Sequence, residues 1–167
     1  MYTKCQVFTP NNYVQELEAL HNKLLDLGKA AEISVNKAIK AYIESDTELA
    51  HEVFSDDLRI NATTAEIEKD THKIIALQQP VAQDLRMLFA VLHVSIDLER
   101  IADHAVSIGT IALRNQDHDE ESQTVKGYLA RMAQVAEKMI ADALDSYISR
   151  DAKKARKVAL MDEEIDE

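Results

Sequence analysis

Two acids four residues apart, Glu99 and Asp103, have the clearest chemical meaning in this chain. At about 100° per residue they lie one above the other on a helix. The same line carries four apolar residues, which are Leu85, Leu88, Leu92 and Ile96. Acids that continue an apolar stripe are expected to be partly buried, where a carboxylate needs an ionic partner, a hydrogen bond or a cation.

A second pair of oxygen-bearing residues lies on the preceding helical segment, where Asp57 and Asn61 follow the apolar line of Val53 and Ile60. A tight turn near Pro80 should make the two helices antiparallel, which places Asp57 level with about position 101. Four oxygen-bearing side chains would then meet at one height. Such a cluster suits hard cations such as magnesium, calcium, manganese or iron. Alternatively, the acids lie at the edge of the stripe where water reaches them, and they then need no metal. The sequence does not decide between a metal site and solvated carboxylates.

The composition predicts that helices position these residues. The chain has 167 residues, 46% of them hydrophobic, with three glycines and two prolines, and this favours an all-α fold. Apolar periodicity predicts helices over 12–44, 47–77, from just after Pro80 to 113, and 125–149.

Charge and cysteine content narrow the class of protein. The net charge of −11 argues against a nucleic-acid partner and suits binding of cations or basic protein surfaces. The single cysteine, Cys5, fits a reducing compartment. No apolar run reaches the length of a membrane span, and residues 1–10 lack the layout of a signal peptide, so we expect a cytoplasmic protein.

The chain contains an internal repeat with an offset of 105 residues, in which 41–46 aligns with 146–151 and Tyr42 with Tyr147. Beyond this turn the aligned pairs are Ala50 and Ala155, Val53 and Val158, Asp57 and Asp162, and Asn61 and Asp166. Asp162 and Asp166 are therefore also candidate ligands.

The repeat predicts two copies of one three-helix unit. The expected organisation is an irregular leader (1–11), a first three-helix bundle (12–114), a linker (115–124) and an incomplete second bundle (125–167). Either the chain is a fragment or the second unit is cut short. We expect its C-terminal part to be frayed or sheltered by another chain.

Two further motifs have the spacing of a different kind of metal site. Glu18 with His21, and Glu48 with His51, have the Glu-x-x-His spacing of di-iron helical bundles, so a ferritin-like metal-binding protein or oxidase is the alternative function. Glu48 and His51, however, are expected to project away from the apolar line of their helix. No phosphate-binding loop or nucleophile elbow is present in the sequence, so it offers no recognisable catalytic constellation.

Residues 77–86 (LQQPVAQDLR) and 97–105 (DLERIADHA) closely resemble the signature of the PhoU family of bacterial phosphate-signalling regulators. PhoU-like proteins have two three-helix bundles, each with an acid-x-x-x-Asp motif. The resemblance implies PhoU-like three-helix bundles here, one complete and one truncated repeat, and the motif copy expected in the second bundle is absent from the sequence. Glu99 and Asp103 match that motif, with Ala102 where the family usually has glycine. In several members the motif binds metal clusters, which implies an ion such as iron, manganese, magnesium or zinc.

The resemblance also implies a function, and this function is not enzymatic. Such proteins couple an ABC phosphate transporter, through its ATPase, to a sensor histidine kinase. They act as negative regulators of phosphate uptake and of the phosphate-starvation response (the Pho regulon). A protein of this kind is expected to be a cytoplasmic homodimer that reaches the membrane only through its partners.

Overall fold

The structure, a computed structural model, describes residues 10–114 and 123–162. These residues form five helices and no strand. The helices are α1 (Pro10–Glu44), α2 (Thr47–Gln78), α3 (Ala82–Arg114), α4 (Gln123–Ser149) and α5 (Ala152–Leu160). The all-α prediction is confirmed. The predicted leader and linker lie largely outside the described residues, and α1 and α4 each begin two residues earlier than predicted. None of the five helices is long and apolar enough to cross a membrane.

The same turn joins the first two helices of each repeat. Asp46 caps α2 by accepting a hydrogen bond from the backbone N–H of Leu49 at 3.0 Å. Asp151 caps α5 by accepting from the N–H groups of Lys153 and Lys154 at 2.8 and 3.0 Å. An aspartate cap satisfies N–H groups that have no partner within the helix. The repeat seen in the sequence is therefore also a repeat of local structure.

A left-handed residue at each side of Pro80 reverses the chain between α2 and α3. Gln79 has φ 48° and its N–H donates to the carbonyl oxygen of Ile75, while Ala82 has φ 50°. A left-handed residue commonly ends a helix, and proline cannot continue one. Helix α3 then runs back along α2 and α1.

The core of the first unit is formed by apolar side chains from all three helices. Its largest fully buried members are Leu20, Leu24, Leu27, Val53, Ile60, Ile67, Leu88 and Val91. On α3 the buried face continues through Leu98, Ala102 and Ala105.

The apolar stripe that the acids were predicted to continue is only partly buried. Leu88 is buried, but Ile96 is 49% exposed, and Asp103, which was expected to be partly buried, is exposed. Helix α3 has a second apolar face, formed by Val91, Leu98 and Ala105, and this face is buried in the core with α1 and α2. Glu99 and Asp103 therefore lie at the edge of the buried surface.

Helix α4 packs against α1, and α5 packs against α4. Ile140 joins the core of the first unit, and Leu144 and Tyr147 pack beside it. Lys154 links α5 to α4 through Asp142 and Asp145, with N–O distances of 3.0 and 2.6 Å. No residue of α5 is buried.

Gly28 allows α4 to approach α1 closely, because a Cβ at this position would overlap the Leu144 side chain, whereas a Cβ at Gly127 would meet no atom within 4 Å.

Gly127→Ala is expected to stabilise the protein by about 1 kcal/mol through helix propensity alone. In Gly28→Ala the same gain is opposed by overpacking, which costs about 1–3 kcal/mol. Urea unfolding of the two variants checks this difference. In a Leu144→Ala background Gly28→Ala should recover the gain, and equal stability of the two single variants would contradict the close packing.

Candidate metal-binding site

Asp57 and Asn61 form a polar pair on the face of α2 beside α3. They are one helical turn apart and both half-buried, and the Asn61 amide Nδ2 donates to Asp57 Oδ2 at 3.0 Å. The other oxygens of the pair, Asp57 Oδ1 and Asn61 Oδ1, are buried and accept no hydrogen bond. Buried oxygens without a donor are costly, so two of them on neighbouring turns of one helix suggest a ligand that supplies positive charge.

The negative charge of Asp103, on α3, acts on the Asp57 carboxyl of this pair. Burial raises the pKa of the Asp57 carboxyl, and the negative charge of Asp103 raises it further. The hydrogen bond from Asn61 lowers this pKa and so partly opposes both effects. The tertiary fold thus brings the carboxylates of Asp57 and Asp103 close enough for their charges to interact. A like charge beside a half-buried carboxylate is unfavourable unless a proton or a cation compensates it.

Glu99 lies on α3 one turn before Asp103 and is half-buried, whereas Asp103 is exposed. Glu99 makes no hydrogen bond or ion pair with the part of the chain that the structure describes. Its carboxylate is therefore available to turn towards a cation. Within residues 10–114 and 123–162, no three side chains of His, Cys, Asp or Glu are already gathered for a metal ion.

The equivalent residues of the second repeat are arranged differently. Helix α5 ends at Leu160, so Asp162 lies in the following turn and is exposed. Asp166 lies outside the described residues. The helix that carries Asp57 and Asn61 in the first unit continues for several more turns, to Gln78.

Thr64 extends the row of unpartnered oxygens on α2. It is buried, it lies seven residues after Asp57, and its Oγ1 has no hydrogen-bond partner. In the sequence, only its position on the apolar line of α2 distinguished this threonine. A threonine on such a line is usually interpreted as part of the packed core. The candidate ligands Asp57, Asn61, Glu99 and Asp103 all offer only oxygen from their carboxylates or as the amide acceptor. This set fits a hard cation better than a thiolate- or imidazole-binding metal.

The two Glu-x-x-His motifs do not form a di-iron site in this fold. Glu18, Glu48 and His51 are exposed. The ring of His21 is turned towards α4, where its Nε2 lies 3.2 Å from the Tyr147 hydroxyl, and its Nδ1 lies 2.8 Å from the carbonyl oxygen of Leu17. Since the Leu17 carbonyl can only accept, Nδ1 carries the proton and Tyr147 donates to Nε2. His21 is thus engaged in attaching α4 to α1.

The raised pKa of Asp57 leads to a pH-dependent expectation. A carboxyl whose folded pKa lies above its unfolded value favours the folded state in its protonated form. That contribution is present below the unfolded pKa and is lost as pH rises through the folded pKa. Without metal, Asp57→Asn is therefore expected to raise the melting temperature at pH 7, with the gain shrinking as pH falls through the pKa of Asp57. Thermal melts in chelator from pH 3 to 7 measure this, with Asp97→Asn on the exposed face of α3 as the control. A gain that is independent of pH would contradict the assignment.

The structure defines an all-helical protein with one complete three-helix unit and the first two helices of a second, in which Asp57 and Asn61 of α2 lie beside Asp103 of α3. The family model that matches this chain is the PhoU domain, over residues 24–112 and 129–167. The chain therefore belongs to the PhoU domain family, as the signature residues indicated.

Curated relatives and solved structures agree with this assignment. A phosphate-specific transport system accessory protein PhoU homolog from Clostridium acetobutylicum is 34% identical, over 92% of this chain and 70% of that protein. The homolog from Caulobacter vibrioides is 36% identical, over 95% and 69%. The crystal structure of PhoU from Pseudomonas aeruginosa superposes with a TM-score of 0.85 at 33% identity, over 92% of this chain and 73% of that one.

The family consists of regulatory accessory proteins and not of enzymes, which confirms the prediction that this chain is not an enzyme. The fold-level prediction of PhoU-like three-helix units is also confirmed.

Proposed function

We propose that this chain is an accessory protein of a phosphate-specific transport system and a negative regulator of phosphate uptake. The observation that supports the proposal is its identity of 30–37% with proteins of that name, over at least 90% of its length. In the proposed mechanism the protein contacts the ATPase of an ABC phosphate transporter and a sensor histidine kinase. When phosphate is plentiful, it restrains transport and the starvation response together.

The charge of the chain favours protein partners with basic surfaces. With a net charge of −11, the chain is attracted to basic surfaces and repelled by anionic lipid and nucleic acid. We propose that it works in the cytoplasm as a homodimer and reaches the membrane only through its partners.

A metal ion is part of the proposal. Asp57, Asn61, Glu99 and Asp103 would hold a hard cation such as iron, manganese or magnesium, and zinc is a further candidate. The bound ion would compensate the like charges of Asp57 and Asp103 and cross-link α2 to α3. Asp162 and Asp166 are the proposed ligands of the second repeat. The two buried, unpartnered oxygens of Asp57 and Asn61 support this part of the proposal.

The regulatory proposal is tested by capture of its partners. The full chain is immobilised and exposed to the transporter ATPase and to the cytoplasmic part of the kinase, in high and in low phosphate. Retention of both is the expected result, and retention of neither would contradict the proposal.

Substitutions separate the metal from the docking function. Glu99→Gln with Asp103→Asn removes two charges of the proposed site but keeps side-chain size. The matched control is Asp97→Asn, on the exposed face of the same helix. If the metal shapes the docking surface, the double variant loses capture and the control retains it. Capture by both variants would remove the metal from the mechanism and leave the regulatory role intact.

A further inference from the structure

The two repeats carry opposite charge at equivalent positions. Residues 37–56, around the turn of the first repeat, contain five acids and two lysines. Residues 142–161, their counterparts 105 residues later, contain three acids and five lysines or arginines. The first turn is therefore negative and the second positive, although each has the same local structure with an aspartate cap.

The inversion of charge includes the ion pairs that join the helices of each repeat. In the first repeat Lys37 of α1 lies 2.8 Å from Glu52 and 2.7 Å from Asp56, both on α2. Asp142 of α4 is the counterpart of Lys37, and it pairs with Lys154 of α5 at 3.0 Å. Each repeat thus keeps the attraction between its helices, while the charge of its second helix changes from negative to positive.

Helix α5 presents a positive surface to solvent. We call it the basic face, and it consists of the exposed residues Lys153, Arg156 and Lys157. Their side chains make no ion pair within residues 10–114 and 123–162, whereas the neighbouring Lys154 does. Like charges three or four residues apart on a helix repel each other, so this arrangement destabilises α5 unless an opposing surface compensates it.

The corresponding positions of α2 form a negative surface. We call it the acidic face, and it consists of the exposed residues Glu48 and Glu52, the counterparts of Lys153 and Lys157. Helix α3 packs against α2 and leaves these positions in solvent. The two faces are thus solvent-facing sides of their units, and each holds like charges one helical turn apart.

The two faces lie at opposite ends of the molecule. Helices α1 and α4 contact each other in antiparallel order, because His21 lies against Tyr147 whereas Asn36 donates a hydrogen bond to Glu137. The turn that follows α1 and the turn that follows α4 are therefore at opposite ends, and α2 and α5 begin there. One end of the molecule carries the acidic face and the other carries the basic face.

We propose that the basic face of one copy of this chain binds the acidic face of a second copy, reciprocally in a homodimer. The charges of the two faces are complementary, and contact relieves the repulsion within both faces at once. A free anion would compensate only the basic face. The inference rests on the homodimer of the proposed function and names the surfaces that form it, and it involves neither the metal nor phosphate.

The net charge of −11 does not prevent this contact. At about 0.1 M salt, charges more than about 10 Å apart are largely screened from each other. Facing charges in a contact are closer than this, so we expect their attraction to outweigh the repulsion between whole copies. Dimerisation should therefore weaken as the salt concentration rises above this value.

Charge reversal tests the pairing, with dimerisation of the full chain measured by analytical ultracentrifugation at about 0.1 M salt. The first variant, Lys153→Glu with Lys157→Glu, makes both faces negative. The second variant, Glu48→Lys with Glu52→Lys, makes both faces positive. Each variant alone is expected to dimerise at least roughly tenfold more weakly than wild type, because like charges then face each other. An equimolar mixture of the two should recover the dimer, since opposite charges face each other at both contacts.

The matched control is Lys69→Glu with Lys138→Glu, which changes the net charge as much as the first variant does, at exposed positions outside both faces. The control should dimerise as wild type does. All of the substituted residues are exposed, and Lys37 keeps Asp56 as a partner when Glu52 is replaced. Each variant should therefore keep its fold, which circular dichroism checks.

Three results would overturn the inference. A dimer that both charge-reversal variants retain would use another surface, which leaves the proposed homodimer intact. Loss of the dimer in both variants without recovery in the mixture would show that the two faces do not pair with each other. A monomeric wild type would contradict this inference and the homodimer together, while capture of the transporter ATPase and the kinase still tests the regulatory role separately.

Discussion

Replacing Glu99 and Asp103 together by alanine is expected to abolish the stabilisation of the protein by metal. A ligand that binds only the folded state, at about 100 times its dissociation constant, stabilises it by about 2.7 kcal/mol. Wild type in saturating Mn²⁺ should gain roughly this amount over wild type in chelator, and the double variant should gain nothing. Urea unfolding with and without Mn²⁺ measures both gains.

The same double variant should be at least as stable as wild type when no metal is present. Its substitutions remove the negative charge of Asp103, which raises the pKa of the half-buried Asp57. Asp97→Ala, at an exposed position of the same helix, is the control and should keep the response to Mn²⁺. A double variant that responds to Mn²⁺ as wild type does would place the metal elsewhere or nowhere.

Leu24→Ala is expected to have the largest effect on stability of any single substitution considered for this protein. The Leu24 side chain is 0% exposed and lies in the core shared by α1, α2 and α3. Its truncation leaves a cavity, and such changes cost about 2–5 kcal/mol. Chemical unfolding of the variant measures the loss.

Two other leucines serve as graded controls for Leu24. Leu58 of α2 is 71% exposed, and Leu58→Ala should change the free energy of unfolding by no more than about 0.5 kcal/mol. Leu129, the repeat counterpart of Leu24, is half-buried, and Leu129→Ala should fall between the two. A loss at Leu129 as large as that at Leu24 would show that the face of α4 is covered in solution.

Local structure followed directly from the sequence. The first four helices and the turn at Pro80 were visible, because apolar spacing and proline act over a few residues. The short helix α5 was not predicted by its own apolar spacing. The repeat was visible for the same reason, since it copies those short signals at a fixed offset.

The candidate site was only partly visible. Apolar spacing placed Asp57 and Asn61 on a helix face, and the tight turn gave the antiparallel register that sets Asp57 against α3. The unpartnered hydroxyl of Thr64 was not predicted, because a threonine on an apolar line is usually part of the packing. Whether its hydroxyl finds a partner depends on neighbouring helices.

The sequence by itself determined the helices, their order, the repeat and the signature of the family. Tertiary structure alone decided which of the two apolar faces of α3 is buried, and so placed Ile96 in solvent and Asp103 at the edge of the core. It also decided that α4 packs on α1 through Gly28 and Leu144 and that Tyr147 bonds to His21. The physical reason is that helical periodicity fixes the direction of a side chain around its own axis. It does not fix on which sides other helices lie, since that depends on contacts between residues far apart in the chain.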